Sequence, residues 1–285
     1  MKKFMSIILF SAVSCLYVWA QEAPVHEFSA YSGFGLSSFR YKLSQGNRSG
    51  GFGGDFGVGY TWYRTNVRVT GTGKVFNERW GIFTGLGLGL YNAKAKFSAE
   101  TVEQETRDSE SDPILLNSTL SGYKEKQRLT SLNIPVMAQF QIERYYVMTG
   151  FKFGIPVGSK YKSKNATLTN KAYYPEYENW LEEPRPQGLG SFQKASDGKL
   201  KFGMSVMLTL EGGVNWRLDR HFSLYSGMYF DVGLNNAAKN KKQSFVNYTT
   251  SAGKADVSTN SMMAAFTEKA NMMAVGVKVR LAYVK

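Results

Sequence analysis

The sequence predicts an all-β fold, an antiparallel barrel of eight strands, and three observations support this prediction. Apolar and polar residues alternate strictly over long stretches, which is the periodicity of a strand with two different faces. These stretches exceed the roughly 5 to 6 residues of an average soluble strand and match the roughly 9 to 11 that cross a bilayer at a tilt. Short and long connections alternate between them, so we expect an up-and-down transmembrane barrel.

The clearest alternation begins at Tyr145 and continues to Gly158. Its odd positions up to Val157 are mostly apolar, whereas its even positions are mostly small or polar and include Lys152. The remaining predicted strands are 27–42, 52–64, 79–97, 128–142, 200–216, 222–235 and 273–283. An even number of antiparallel strands closes without an open edge, which the membrane interior requires because it has no water for unpaired amides.

The predicted connections fall into two classes. Residues 143–144 and 218–221 form tight turns, and the long polar connections are 98–127, 162–198 and 236–269. This layout is typical of outer-membrane barrels, with short periplasmic turns, long extracellular loops and both termini in the periplasm. Two connections fit less well, because 43–51 is short for an outer loop and 65–78 is long for a periplasmic turn. Residues 65–69 can extend a strand beyond the membrane.

Residues 1–20 have the parts of a secretory signal peptide, with Lys2 and Lys3 before an apolar run. We expect cleavage after Ala20, which leaves a barrel domain at 21–285; acylation of Cys15 is the alternative. Because Cys15 is the single cysteine, we expect no disulfide and no cysteine-based metal site in the mature chain. No cofactor and no metal are expected.

Charge and hydropathy limit the possible partners. The formal charge is +13, and removal of the two signal lysines leaves +11. An exported protein rarely meets nucleic acid, and the longest basic run is Lys241–Lys242, so we do not expect nucleic acid as a partner. No later stretch approaches the ~18 to 20 apolar residues of a membrane helix. We expect outer-membrane lipid and other envelope proteins as partners, with a monomer favoured.

Ionisable residues on the inward face are the best-defined candidate site. Charges inside a barrel must pair or be hydrated, and an interior of eight strands is wide enough only for side chains. We therefore predict a network of ion pairs that fills the lumen. The alternative is a gated path, as in a narrow porin-like channel for ions or small solutes. The predicted members are Asp55, Lys152, Lys201, Glu211, Arg217, Asp231, Lys278 and Arg280.

Catalysis is not expected from the sequence. Surface acyl transfer or proteolysis needs a base such as histidine close to a serine or an aspartate. The two histidines, His26 and His221, are predicted to lie at the periplasmic end. Glu182 and Glu183 lie in an ordinary polar loop, and the glycines of 85–89 lack phosphate-loop spacing. We therefore expect the protein not to be an enzyme.

The long connections differ in charge. Seven acidic and three basic residues give 98–127 a charge of −4, and five basic and two acidic residues give 236–269 a charge of +3. The connection between them carries an aromatic cluster: Tyr173, Tyr174, Tyr177 and Trp180. Two interpretations stay open. The rings form an exposed binding surface, or the connections pair by charge and pack the rings into a cap.

Three segments resemble a known family, the outer-membrane β-barrel proteins of Bacteroidetes, including the PorT-like group. They are Leu132-Asn133-Ile134-Pro135-Val136, the strand 147–158 and the strand 78–88. The resemblance extends over the mature chain and is to an OmpA-like transmembrane barrel without a periplasmic domain. It implies that Pro135 and Pro156 mark bulges. It also implies an interaction or structural role in the envelope, for some members within a secretion or assembly complex.

Overall fold

The computed structural model describes residues 25–43, 46–69, 75–239, 243–251, 254–267 and 269–285. The predicted signal peptide and Cys15 lie outside these ranges. Within them, no helix has the length and apolar character needed to span a membrane. The described chain is mostly β-strand and has almost no helix, which confirms the all-β prediction.

The described elements are sixteen strands, one α-helix and one 3-10 turn at Arg185–Gln187. The helix, α1, spans Met262–Phe266. The strands are β1 (Val25–Tyr41), β2 (Asn47–Val69), β3 (Val75–Lys96), β4 (Ala99–Arg107), β5 (Pro113–Ser121), β6 (Lys124–Ile142), β7 (Tyr145–Ser163), β8 (Ala166–Tyr174), β9 (Asn179–Leu181), β10 (Gly190–Lys194), β11 (Asp197–Lys199), β12 (Ser205–Arg217), β13 (Phe222–Gly233), β14 (Val246–Ser251), β15 (Lys254–Thr259) and β16 (Ala270–Val284).

Eight long strands pair into a closed antiparallel ring. The order is β1, β2, β3, β6, β7, β12, β13 and β16, and β16 pairs with β1 to complete the circuit. Each of the eight segments predicted from alternation corresponds to one of these strands. Both edges of every ring strand have a partner, so the ring leaves no open edge.

Outward side chains of the ring form an exposed apolar band. Burial alternates along the strands, so that in β7 Phe151 and Ile155 are exposed while Lys152 between them is buried. Soluble monomers rarely expose an apolar surface of this extent. Members of the band include Phe34, Phe52, Val58, Leu86, Leu88, Val136, Phe151, Ile155, Leu210, Met228, Val277 and Leu281.

A bulge changes the alternation of β7. Thr130 lies opposite Gly158 and Ser131 lies opposite Pro156, so Val157 is an extra residue on β7. An extra residue reverses which positions face outward. Pro156 therefore marks a bulge as expected. Pro135 does not mark a bulge, because the pairing of β6 with β7 continues without a shift at this residue. Pro135 does lack the backbone N–H that a hydrogen bond to β3 would need.

The long polar connections are folded into strands, which the sequence analysis did not predict. They lie at the distal end of the ring, which we define as the end opposite the tight turns. Strands β10, β8, β5 and β4 form a sheet there, with β9 on β8, and β14 pairs with β15. We call the five-stranded unit the distal sheet. These connections are polar in composition because only one face of the distal sheet is buried. On that buried face, Leu116 and Leu168 have no exposed surface.

The distal sheet, the β14–β15 hairpin and α1 share one core. Residues from all three long connections meet there, including Leu120, Tyr174 and Met262. At the other end, the predicted 65–78 turn is instead a continuation of the β2–β3 hairpin, with Thr65 opposite Arg79 and Val69 opposite Val75. The structure therefore places a packed unit at one end of the ring and hairpins at the other.

Candidate functional site

The interior of the ring contains a network of buried charges centred on Lys152 of β7. Its Nζ atom lies 2.9 Å from Asp55 Oδ2 of β2 and 2.7 Å from Asp231 Oδ2 of β13. All three side chains are at most 5% exposed. Because β2 and β13 do not neighbour β7 in the ring, these ion pairs cross the interior. One cation thus links two carboxylates across the lumen.

Neutral polar groups complete this first cluster. The Asn133 side-chain amide donates to Asp55 Oδ1 at 3.2 Å and to the Tyr91 hydroxyl at 3.3 Å. The ring of Tyr229 lies 5.7 Å from Lys152 Nζ, within range of a cation–π interaction. The gap beside Asp55, Tyr91 and Asp231 is too small for a water molecule. The side chains therefore fill this level of the interior.

A second cluster lies nearer the tight turns. Lys278 Nζ of β16 lies 2.9 Å from Glu211 Oε2 of β12, and Tyr146 donates to Glu211 Oε1 at 3.1 Å. The Lys278 ammonium also lies 4.3 Å from the centre of the Tyr31 ring. Lys278 and Glu211 are buried, so the ion pair is shielded from solvent.

Arg280 is enclosed by aromatic rings. Its guanidinium carbon lies 4.1 Å from the Tyr225 ring centre and 5.2 Å from that of Phe83. Its Nη2 donates to Gln139 Oε1 at 3.3 Å. A guanidinium is weakly hydrated and stacks well on rings, which suits this environment better than an ammonium would.

Glu27 belongs to the interior network although the sequence prediction omitted it. It is fully buried, and its Oε2 accepts hydrogen bonds from Tyr225 at 2.8 Å and from Tyr63 at 3.3 Å. Glu27 shares the inward face of β1 with Ser29 and Tyr31. The alternation of the first strand, continued back to its first predicted residue, contains the signal that would have found it.

Six of the eight predicted interior residues meet in these clusters, and two do not. Lys201 is exposed because β12 begins only at Ser205, so the residue lies outside the ring wall. Arg217 is the last residue of β12 and is exposed at the turn, where its Nε donates to the Asp219 carbonyl oxygen at 3.3 Å. This corrects the prediction that both belong to the interior network.

The four predicted loop aromatics have different environments. Tyr174 is buried in the distal core, and its hydroxyl donates to Asp108 Oδ2 at 3.0 Å. Burial raises the pKa of Tyr174 above its ordinary range. Tyr173 packs against Trp180 with ring centres 5.2 Å apart. Tyr177 is 66% exposed and Trp180 is 44% exposed, so these two rings remain accessible.

Glu125, at the distal end of β6, is a second buried carboxyl that sequence reasoning missed. It accepts hydrogen bonds from Tyr123, Gln127 and Ser261 at 2.6 to 2.8 Å. The backbone N–H of Met262 adds a fourth at 2.9 Å, while Ser261 also caps α1. Burial raises the pKa of Glu125 despite these donors. Glu125 thereby attaches the third long connection to the ring.

Both histidines lie at the turn end, as the sequence indicates. His26 Nδ1 is 2.6 Å from the Tyr60 hydroxyl, and the His221 ring stacks on Tyr283. In the same turn, Asp219 accepts the backbone N–H groups of His221 and Phe222, which lowers the pKa of its carboxyl. Across the described ranges, no group of three or more histidine, cysteine or acidic residues is arranged to hold a metal ion.

Two solved structures are similar to this chain at low sequence identity. The outer membrane protease OmpT from Escherichia coli is 11% identical, with 92% of this chain and 96% of that chain covered and a TM-score of 0.27. A Pseudomonas aeruginosa FadL homologue is 6% identical, with 92% and 89% covered and a TM-score of 0.15. No curated protein sequence matches the chain.

The likeness to OmpT corrects one expectation. The expectation that the protein is not an enzyme is withdrawn, because a protease is among the structures that match. At this identity and TM-score, the likeness assigns no activity to the chain.

Family membership rests on a match that covers most of the sequence. The model of the outer membrane protein beta-barrel domain matches residues 19–239. This span includes seven of the eight ring strands in full: β1 to β3, β6, β7, β12 and β13. It agrees with the exposed apolar band and the closed strand order. The chain therefore belongs to the outer membrane protein beta-barrel domain family, and its location is the outer membrane.

Proposed function

We propose that the eight-strand ring spans the outer membrane as an up-and-down barrel with its tight turns and both termini in the periplasm. The exposed apolar band supports this proposal, because outward positions such as Leu86 and Phe151 would otherwise face water. In this orientation, the distal sheet and its core lie outside the cell. Export would use residues 1–20 as a signal peptide, with cleavage after Ala20.

We further propose that the barrel is closed to solutes. The observation that carries this is the ion pairing of Lys152 with both Asp55 and Asp231 across the lumen, at 2.7 to 2.9 Å. Opening a path would separate charges that have little exposed surface, which is costly in a low-dielectric interior. The filled interior favours this proposal over the narrow porin-like channel.

A closed barrel meets soluble molecules at its two ends, and the distal end carries the larger folded unit. We propose that the protein is an interaction component of the cell envelope and that Tyr177, Trp180 and Leu181 form its contact surface. These three side chains are 39 to 66% exposed. Exposed aromatic side chains are typical of the central residues of protein interfaces. The resemblance to PorT-like proteins favours a partner in a secretion or assembly complex.

Site-specific crosslinking in intact cells tests the interaction. A photoreactive phenylalanine analogue replaces Tyr177, and the same analogue at Thr101 is the matched control because Thr101 is exposed on β4 of the same sheet. We expect a discrete envelope protein to crosslink at position 177 and not at 101. If a tagged copy purifies alone and neither position crosslinks, the interaction role is wrong.

Conductance in planar bilayers tests the closed lumen. We expect no steady openings from the purified protein. Steady, ion-selective openings that disappear in Lys152→Gln or Glu211→Gln would support the channel instead.

A further inference from the structure

A group of exposed basic residues lies on the outside of the ring, at the distal edge of the apolar band. The residues are on four neighbouring strands, β3, β6, β7 and β11, and all six are exposed. They line one cleft of about 1150 Å³. We call this group the basic belt, and its members are Lys94, Lys126, Arg128, Lys160, Lys162 and Lys199.

The strand register places like charges directly opposite one another. In one row, Lys126 lies between Lys94 and Lys162. In the next row, Lys160 lies between Arg128 and Lys199. Directly opposite like charges destabilise a sheet. Among the described residues that line the cleft, Asp197 is the single carboxylate, so most of this repulsion has no counter-charge in the cleft.

The bulge at Val157 is what directs two of these lysines outward. Before the bulge, odd positions of β7 face out, as Phe151 and Ile155 do; after it, Lys160 and Lys162 face out. Without the extra residue, both lysines would point into the ring. The backbone irregularity thus adds two cations to an already basic surface.

The belt directly borders apolar surface. Phe52 and Gly158 line the same cleft, and Val157 next to Gly158 is 67% exposed. A Cβ atom at Gly158 would meet no atom within 4 Å, so there is open space beside this residue. The cleft therefore offers cations on its distal side and apolar side chains on its membrane side.

At the turn end, the described strand register places no two cations directly opposite each other; Arg79, for example, lies opposite Thr65 and Gln141. There Glu78 and Arg79 are neighbours, as are Glu143 and Arg144, and Asp219 precedes Arg220. Mixed charge of this kind is ordinary for a solvated surface. Rows of directly opposite cations are thus a feature of the distal edge of the described ring and not of its turn end.

We propose that the basic belt binds the phosphate groups of lipid headgroups in the leaflet that surrounds the distal edge. This inference rests on the proposed membrane-spanning orientation, in which that leaflet is the outer one. A lipid supplies the phosphate that lysine and arginine pair with and the acyl chain that covers Phe52 and Val157. A soluble polyanion would use the cations and leave the apolar side of the cleft bare.

The test is lipid binding by the purified full protein in a non-ionic detergent, measured by native mass spectrometry. The probes are dipalmitoyl phosphatidic acid and dipalmitoylglycerol, which differ in the phosphate. We expect the triple variant Lys126→Gln/Arg128→Gln/Lys160→Gln to weaken binding of phosphatidic acid on the order of 100-fold, since each cation near a membrane surface contributes about a fivefold effect. Binding of dipalmitoylglycerol should not change.

The matched control removes the same charge elsewhere. The variant Arg107→Gln/Lys171→Gln/Lys254→Gln alters exposed residues of the distal connections outside the belt. We expect it to bind phosphatidic acid within threefold of the natural protein. Equal affinity of the belt variant and this control would overturn the proposal.

Two further arms separate the possible failures. If inorganic pyrophosphate competes with phosphatidic acid at equal phosphate concentration, the belt is a site for a soluble anion and the lipid proposal is wrong. If the protein does not enter detergent micelles as a folded species, shown by different gel mobility before and after boiling, the membrane-spanning proposal fails instead.

Discussion

Strand β7 contributes a lysine to each of two opposite environments. Lys152 points into the ring and lies between two buried carboxylates. Lys160, eight residues further on, points outward and lies opposite Arg128 and Lys199 on the neighbouring strands. Between them lies the bulge at Val157. Both residues are lysines on the same strand, yet one is buried in ion pairs and the other is exposed among cations. The side of the ring wall that a lysine faces therefore determines its interactions. Inside the ring, ion pairs between opposite charges link strands that are not neighbours. Outside the ring, the cations of the basic belt form the surface that we propose binds an anion.

The largest expected loss of stability comes from removing the interior lysine, Lys152. Lys152→Met should destabilise the folded protein by about 3 to 5 kcal/mol, because Asp55 and Asp231 would remain buried without their cation. Lys160→Met on the same strand is the control and should change stability by less than about 0.5 kcal/mol. Urea unfolding of the purified proteins, followed by tryptophan fluorescence, measures both.

A triple variant sharpens the same point. Asp55→Asn/Lys152→Met/Asp231→Asn removes all three charges together, and we expect it to recover much of the stability lost in Lys152→Met. An additive loss in the triple variant would show that the ion pairs are not the cause.

The next largest loss of stability is expected from substituting a glycine in the ring strands. A Cβ atom at Gly87 would overlap the Tyr31 hydroxyl oxygen and would also come too close to the Phe56 carbonyl oxygen. Gly87→Ala should therefore cost about 1 to 3 kcal/mol in the same unfolding assay. Gly158→Ala is the matched control, since a Cβ atom there would meet no other atom within 4 Å. A similar loss in both variants would mean that strand flexibility, and not the space inside the ring, sets the requirement for glycine.

Glu125 tests whether the distal unit depends on its attachment to the ring. Glu125→Ala removes the acceptor of the Ser261 hydroxyl and the Met262 backbone N–H, and we expect a loss of about 1 to 3 kcal/mol that is confined to the third long connection. Limited proteolysis should cut within 236–269 while the ring stays intact. Protection equal to that of the natural protein would mean that the apolar core alone holds α1.

The pH dependence of the distal unit follows from the same residue. Burial raises the pKa of Glu125 in the folded state, so this group stabilises folding below the ordinary glutamate pKa of about 4.3, and that contribution is lost as pH rises through the raised value. We expect cleavage within 236–269 to become faster with rising pH in this window. Glu125→Gln should remove that dependence, after correction for the pH profile of the protease on an unfolded substrate.

The smallest effect compares two adjacent tyrosines of the distal sheet. Tyr174→Phe removes a buried hydrogen bond to Asp108 and should cost about 1 kcal/mol, whereas Tyr173→Phe should be nearly neutral. Thermal unfolding followed by circular dichroism compares the two variants. Equal changes would show that burial does not distinguish the two rings as the structure indicates.

Much of the ring could be predicted from the sequence by itself. Strict alternation identifies the eight strand segments and the inward face, and with it Asp55, Lys152, Glu211, Asp231, Lys278 and Arg280. The physical reason is that a wall between two different environments selects residue types locally, at every second position. The same reasoning wrongly places Lys201 and Arg217 inside the ring, because alternation does not show where a strand of the wall begins and ends.

Only the tertiary structure decided which residues meet. The pairing of Lys152 with Asp55 and Asp231 depends on the stagger of strands that are far apart in sequence, and no local pattern encodes that stagger. The bulge that turns Lys160 outward and the core that joins three polar connections depend likewise on contacts between distant segments. Alternation records the environment of a single strand, whereas partners and charge clusters arise only when the strands close into a ring.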